Sequence, residues 1–291
     1  MALNKVIVVG SNKGGSGKTT STASLADSIA RKQGHPVLVI DADPQGNLSS
    51  YFGYLPSKNI PNSLVSYLKR KYLADDGTAG ELPPVTYFIN VARKYIPRSD
   101  KRKDYENLDI IPGNGGLTGI YNVFNSDPAA NRLFRDLFDE IRALDKYDYI
   151  LVDTKPTIDN TLLQILFGAD YLLVPSTDGK LSFMGANSIG AVYQQIHEQR
   201  KNAGDETNIE FLGMFLNMIK SNTKTERALR GEGITKFWGD NPIFSTKIKL
   251  NQDVKNAEEL LAPVTAAFPS SFAAVGFNAL AREVVDSIGK L

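Results

Sequence analysis

The sequence contains no cysteine, only two histidines, His35 and His197, and a single tryptophan among 291 residues. The missing thiols exclude disulfides, thiolate metal sites, iron–sulfur clusters and cysteine nucleophiles together. The two histidines fall in a turn and near the end of a helical segment, with no serine nucleophile in context, so a hydrolase triad is not indicated. No apolar run approaches the roughly 18 residues a membrane helix requires. Nor does a charged segment, apolar stretch and cleavage site follow Met1, so the reading is a soluble, cytoplasmic chain. A strong charge of one sign is also lacking: net charge is +1 and the pI about 7.8. Any basic surface must therefore be local.

Short, continuous apolar runs recur between helical segments: 6–9, 37–40, 108–111, 149–152, 171–174 and 211–216. Continuous rather than alternating apolarity marks strands covered on both faces, which predicts a mostly parallel twisted α/β sheet flanked by helices on both faces. With 42% hydrophobic residues and one set of strand signals, residues 1–291 are read as one domain. It carries a variable insertion at about 55–105 and a basic segment at about 220–255. Helices are expected over 62–73, 130–144, 181–198 and 278–291, and a further strand over 85–91.

Ligands of such sheets sit at the carboxyl ends of strands, so the residues following each run carry the chemistry. After the first run comes Lys13-Gly14-Gly15-Ser16-Gly17-Lys18-Thr19-Thr20, leading into a helical pattern from Thr22 to Ala30. Strand, glycine-rich loop and helix make a phosphate site. Glycines let several N–H groups point at one anion, the helix adds its positive end, and Lys18 supplies a mobile charge. Thr19 offers a hydroxyl to Mg²⁺. Asn12 stands where the strict pattern G-x-x-x-x-G-K-[ST] has its first glycine.

The second run ends in Asp41-Ala42-Asp43-Pro44-Gln45-Gly46-Asn47. Two carboxylates at a strand end behind a phosphate loop suit a metal's water shell and an attacking water. Pro44 and Gly46 argue for a shaped loop rather than a helix start, and ordinary Asx-turn chemistry uses the same residue types. Tyr147 to Asp153 is an apolar strand ending in a carboxylate, the arrangement that holds Mg²⁺ through water beside a phosphate loop. Two basic clusters remain. Arg93, Lys94, Arg98, Lys101, Arg102 and Lys103 face only Asp100, and residues 220–255 hold eight basic side chains against four acidic ones. A solvated face accounts for either cluster, and the second also suits sequence-tolerant, salt-sensitive contact with phosphates.

In order, Asn12 to Thr20, Asp41 to Asn47 and Tyr147 to Asp153 resemble the deviant Walker A branch of the P-loop ATPases, most closely the ParA/Soj partition proteins. The resemblance runs from residue 5 to about 260 and is weakest over 55–105. It implies an ATP- and Mg²⁺-dependent ATPase, slow without a partner, whose ATP form is a sandwich homodimer. Lys13 then reaches the partner's phosphates, Lys18 holds the β- and γ-phosphates along the Gly14, Gly15, Ser16 and Gly17 backbone, and Thr20 touches the α-phosphate. Thr19 ligates Mg²⁺ with Asp41 and Asp153 supporting its water shell, Asp43 orients the attacking water, and Asn217 contacts adenine.

The resemblance further implies non-specific binding of duplex DNA by the ATP dimer, through Lys224, Arg227, Arg230, Lys247 and Lys249. It implies nucleoid association in that form, and hydrolysis stimulated by a ParB-like centromere-binding protein in plasmid or chromosome partition. One departure is Thr154-Lys155-Pro156, which puts a lysine where relatives usually carry proline. The alternatives are a MinD-like membrane-cycling ATPase, which needs a basic amphipathic C-terminal anchor that 278–291 does not provide, and a nucleotide-dependent scaffold with little turnover.

Overall fold

The computed structural model describes residues 1–57, 60–75, 83–97, 99, 101–124, 132–177, 180–202, 204, 209–220 and 243–290. Among these, eight strands form one sheet: β1 (Lys5–Val9), β2 (Val37–Asp41), β3 (Asn90–Tyr95), β4 (Arg102–Ile111), β5 (Tyr149–Asp153), β6 (Tyr171–Ser176), β7 (Glu210–Ile219) and β8 (Ile243–Lys249). From edge to edge the order is β3-β4-β2-β5-β1-β6-β7-β8. All pairings are parallel except β3 with β4.

The continuous apolar runs are explained by two cores, one on each face. Along β1, Val6 and Val8 face one cluster and Ile7 and Val9 the other, and β2, β5 and β6 repeat the alternation. Val6 to Val9 are fully buried, and each such burial is worth roughly 1.5–3 kcal/mol. One face is covered by α3 (Leu64–Asp75), α4 (Leu117–Phe124), α5 (Leu133–Arg142), α6 (Asn160–Gly168) and α7 (Lys180–Asn202). The other is covered by α1 (Lys18–Lys32), α2 (Asn47–Tyr51) and the group α8 (Gln252–Glu259), α9 (Val264–Ala267) and α10 (Phe272–Ile288).

Several expectations shift. The strand expected at 85–91 is a short 3₁₀ turn, Val85–Phe88, followed by β3. Of the basic cluster of 93–103, Arg93, Lys94, Arg102 and Lys103 lie on the β3–β4 antiparallel pair and Arg98 lies outside the described residues; β4 extends back to Arg102 because an outer ladder tolerates the largely polar 102–107 stretch, in which Tyr105 is buried. Asn47 does begin a helix: Gly46 takes φ +65° ahead of α2, letting the chain turn straight into it. The last helix starts at Phe272, capped by the Ser271 hydroxyl accepting from the Ala274 N–H, and its Leu280, Val284 and Ile288 are buried as expected. β8 was not anticipated as a strand. Lys247 and Lys249 lie on the face of β8 opposite Phe244 and Ile248, whereas Lys224, Arg227 and Arg230 lie outside the described residues.

Candidate functional site

The strand order places β1 between β5 and β6, while the chain leaving β1 crosses beyond β5 to β2. The crevice opens where such connections diverge, and the phosphate loop fills it. Gly15 and Gly17 adopt φ +73° and +79°, a region other residues enter only at about 1–2 kcal/mol. Gly17 caps α1 without a side chain of its own, which leaves the first N–H groups of that helix for an anion. A Cβ on Gly17 would lie 2.4 Å from the Asn217 amide nitrogen. That nitrogen donates to the Ser16 carbonyl at 3.0 Å, and the Asn217 oxygen accepts from the Met218 N–H at 3.0 Å. Asn217 thus supports the loop from beneath through its amide nitrogen.

The charged groups converge as expected. Lys18, 6% exposed, donates to the Lys13 carbonyl at 3.3 Å. Burial lowers its pKa, with Asp153 and then Asp43 partly offsetting this. Asp41 and Asp153 are register partners at the ends of β2 and β5. Thr19 donates its hydroxyl to Asp153 Oδ2 at 2.7 Å. Burial pushes Asp153 well above the usual carboxylate range, and the neighbouring Asp41 charge adds to the shift.

Burial also pushes Asp41 up to about 6, against the pull of hydrogen bonds from the Ser49 hydroxyl and N–H. Both reach Asp41 Oδ2, at 2.6 and 2.7 Å, and Ser49 is braced in turn by the Gly113 N–H at 2.9 Å. Gly113 has to be glycine, since a Cβ there would sit 2.2 Å from the Asp41 carbonyl. Asp43 lines the cleft and accepts from the Gln45 N–H at 2.9 Å. Lys13 sends its ammonium to the Thr177 hydroxyl, 3.2 Å away just past β6.

These residues suit a magnesium-bound phosphate chain. Asp153 Oδ1 and Ser16 Oγ are buried without a hydrogen-bond partner among the described residues, which leaves buried polar atoms awaiting one. No three carboxylate or histidine groups among the described residues gather into a metal cage. Mg²⁺ keeps waters and takes few protein ligands beside phosphates, so it does not require such a cage. Thr19, Asp41 and Asp153 are the candidates that would hold it.

The loop forms one end of a cleft of about 480 Å³ whose other end was not read from the sequence. There Tyr51, Glu258 and Leu261 form the walls. The Thr20 hydroxyl donates to Glu258 Oε1 at 3.0 Å and lies 3.5 Å from the Tyr51 hydroxyl. Leu261 takes φ +49° directly after α8. Its N–H donates to the Glu258 carbonyl and that of Ala262 to the Ala257 carbonyl, both at 3.0 Å, a helix-ending turn that usually employs glycine. Nothing local to 51, 258 or 261 signals a cleft; only the packing of α2 and α8 against α1 assembles it. Lys155, the departure noted above, pairs with Asp159 and stands 4.9 Å from the Tyr121 ring centre.

A parallel sheet with a glycine-rich loop after β1 and a strand-end aspartate on neighbouring β5 defines a P-loop nucleotide-binding protein. The AAA domain family matches residues 4–205, and the chain belongs to that family, in its ParA/Soj branch of P-loop ATPases. It is 25% identical over 282 residues to the chromosome partitioning protein ParA of Caulobacter vibrioides, covering 97% of this chain and 94% of that protein. It is 26% identical over 288 residues to the chromosome-partitioning ATPase Soj of Treponema pallidum, covering 99% and 100%. The fold is shared with cobyrinic acid a,c-diamide synthase from Mycobacterium smegmatis, solved with a bound ATP analogue and magnesium, at a TM-score of 0.70 and 20% identity over 98% of this chain and 96% of that one. Among the described residues no helix is long and apolar enough to cross a membrane.

Proposed function

We propose that this chain is a partition ATPase of the ParA type that binds ATP with Mg²⁺ in the cleft and hydrolyses it slowly. The observation that carries the reading is the convergence of Lys18, Thr19, Asp41, Asp43 and the half-satisfied Asp153 on the open N-terminus of α1. Magnesium supplies charge neutralisation at the phosphates when bound. Gly14 to Gly17 hold the phosphate chain by backbone N–H groups, Lys18 balances its charge, and Asp43 orients the attacking water. Residues 1–291 work as one ATPase unit in this reading, with 55–105 as its variable part.

Lys13 is the residue that makes the ATP form a dimer. Its ammonium rests on Thr177, outside the group that surrounds Lys18, which suits a side chain held for a second subunit. The dimer binds duplex DNA without sequence preference, through Lys247 and Lys249 on the exposed edge strand together with Lys224, Arg227 and Arg230. Two copies of a basic surface on one particle raise affinity steeply. A ParB-like partner stimulates hydrolysis and releases the dimer, so the protein cycles between cytoplasm and nucleoid. The apolar stripe of α10 is taken up by the core, which favours this reading over a MinD-like membrane cycle.

The test is Lys13→Ala with a slowly hydrolysed ATP analogue, followed by light scattering and by DNA binding across a salt series. Monomers that neither associate nor bind DNA are expected, with the melting temperature unchanged. A persistent nucleotide-dependent dimer would sink the sandwich model.

A further inference from the structure

The β3–β4 hairpin has no role in the reading above, yet one of its side chains reaches the far end of the cleft. Arg102, at the start of β4, donates from Nη1 to the Tyr51 carbonyl at 2.8 Å and to the Arg93 carbonyl at 3.1 Å. From Nη2 it donates to the Leu261 carbonyl at 2.6 Å. A single planar guanidinium therefore joins three segments distant in sequence: the end of α2, the strand β3 and the turn that closes α8. Two of the three carbonyls belong to residues that wall the cleft.

The surroundings are shaped to admit this contact. Gly53 has φ +91°, and a Cβ there would lie 3.0 Å from Arg93 Cβ and 3.4 Å from Arg102 Cδ. The Arg93 N–H donates to the Phe52 carbonyl at 3.0 Å, and the Tyr54 hydroxyl donates to the Val91 carbonyl at 2.8 Å. These contacts seat the hairpin directly on the end of α2. On the other side, the turn at Leu261 holds a leucine in the left-handed region, where glycine is the usual occupant. A strained residue keeps its conformation only where its surroundings over-determine it, and the Arg102 bond to its carbonyl is one such restraint. The same turn carries Glu258, whose carboxylate meets Thr20.

We propose that Arg102 is a positioning residue for the nucleoside end of the cleft: by tying the Tyr51 and Leu261 carbonyls to the hairpin it fixes the two walls between which base and ribose enter. The inference rests on the reading of the cleft as a nucleoside triphosphate site. It assigns the hairpin a function separate from any charge on its surface. Among the described residues the Arg102 guanidinium bonds to the carbonyls of Tyr51, Arg93, Leu260 and Leu261 and to none in the phosphate loop, so its effect is confined to ligands that carry a nucleoside. Lysine is a poor substitute, because a point charge on a flexible stem cannot bond three carbonyls in fixed directions.

The experiment measures the affinity of ATP and of inorganic tripolyphosphate, each with Mg²⁺, for the wild type, Arg102→Ala, Arg102→Lys and Lys18→Ala by calorimetry. Arg102→Ala is expected to weaken ATP by about tenfold and tripolyphosphate by less than about twofold, with Arg102→Lys in between for ATP. Lys18→Ala is expected to weaken both ligands together. Equal weakening of both ligands by the Arg102 variants, or no effect on either, overturns the positioning role. If Arg102→Ala does not fold, Arg102→Lys decides by the same ratio. Retention of both ligands by Lys18→Ala overturns the cleft reading itself and leaves the two failures distinguishable.

Discussion

The two ends of the cleft are built on different principles. At the phosphate end the recognising groups are backbone N–H donors and a lysine from one continuous stretch, Gly14 to Thr19, backed by aspartates at the ends of β2 and β5. At the end proposed for the nucleoside, Tyr51, Glu258 and Leu261 come from two separate helices and the turn after one of them, and a fourth residue, Arg102, ties that end together from outside. An anion is read by the local path of the chain, which a short motif can encode. A base and ribose are read by walls, and walls need tertiary packing.

The sharpest way to break the phosphate end alone is Gly17→Ala. The new methyl meets the Asn217 amide at 2.4 Å while the backbone sits at φ +79°. Overpacking and a left-handed alanine together are expected to cost about 3 kcal/mol. Urea unfolding measures the loss, and the double variant with Asn217→Ala should show less than the sum of the two single losses, because the clash is gone. Additive losses would mean that Asn217 does not support the loop.

A smaller effect separates ligand binding from stability at the same end. The folded pKa of Asp41 is raised to about 6 from 3.8, so the ionised form is disfavoured by the fold. Below about pH 3 the carboxyl is protonated in both states and the burden is absent. It grows as the pH rises towards about 6 and is constant above. Asp41→Asn is therefore expected to match the wild type near pH 3 and to exceed it by about 2–3 kcal/mol at pH 7, for about two pKa units of relief at about 1.4 kcal/mol each. Urea midpoints at the two pH values check this, and an equal difference at both would remove burial as the cause. The same variant is expected to lose Mg²⁺-dependent nucleotide binding.

The mildest change sharpens the nucleoside end. Leu261→Gly relieves the left-handed leucine and is expected to stabilise the protein by about 0.5–1 kcal/mol, seen as a rise in melting temperature of a few degrees. It also removes a wall of the cleft, so ATP affinity should fall slightly while tripolyphosphate affinity holds. A fall in both would merge the two ends into one cooperative unit.

Particular residues show how far the sequence could be read. The six runs at 6–9, 37–40, 108–111, 149–152, 171–174 and 211–216 are all strands, because cores on both faces leave a nearly continuous apolar signature, interrupted within 108–111 only by Asp109. β3 and β8, at the edges, carry lysines and arginines on exposed positions and read as loop or solvated face. Asn217 lies within β7, and its contact with the Ser16 carbonyl depends on how β7 passes the loop, which no local pattern records. Ser49 and Gly113, which brace Asp41, left no separate signal because each acts through contacts made only after folding.

The parallel α/β sheet, the phosphate loop and the strand-end carboxylates were legible along the chain alone. Each rests on residues adjacent in the chain or on a repeated apolar pattern, and the physics of turns, helix ends and burial acts at that range. The far end of the cleft, and the contact the β3–β4 hairpin makes with it, came only from packing in three dimensions. Tyr51, Arg102 and Leu261 become neighbours solely because the sheet brings α2, β4 and the turn after α8 to one edge of the same crevice. No spacing along the chain records that meeting, since a guanidinium bonded to backbone carbonyls requires no particular side chain in return.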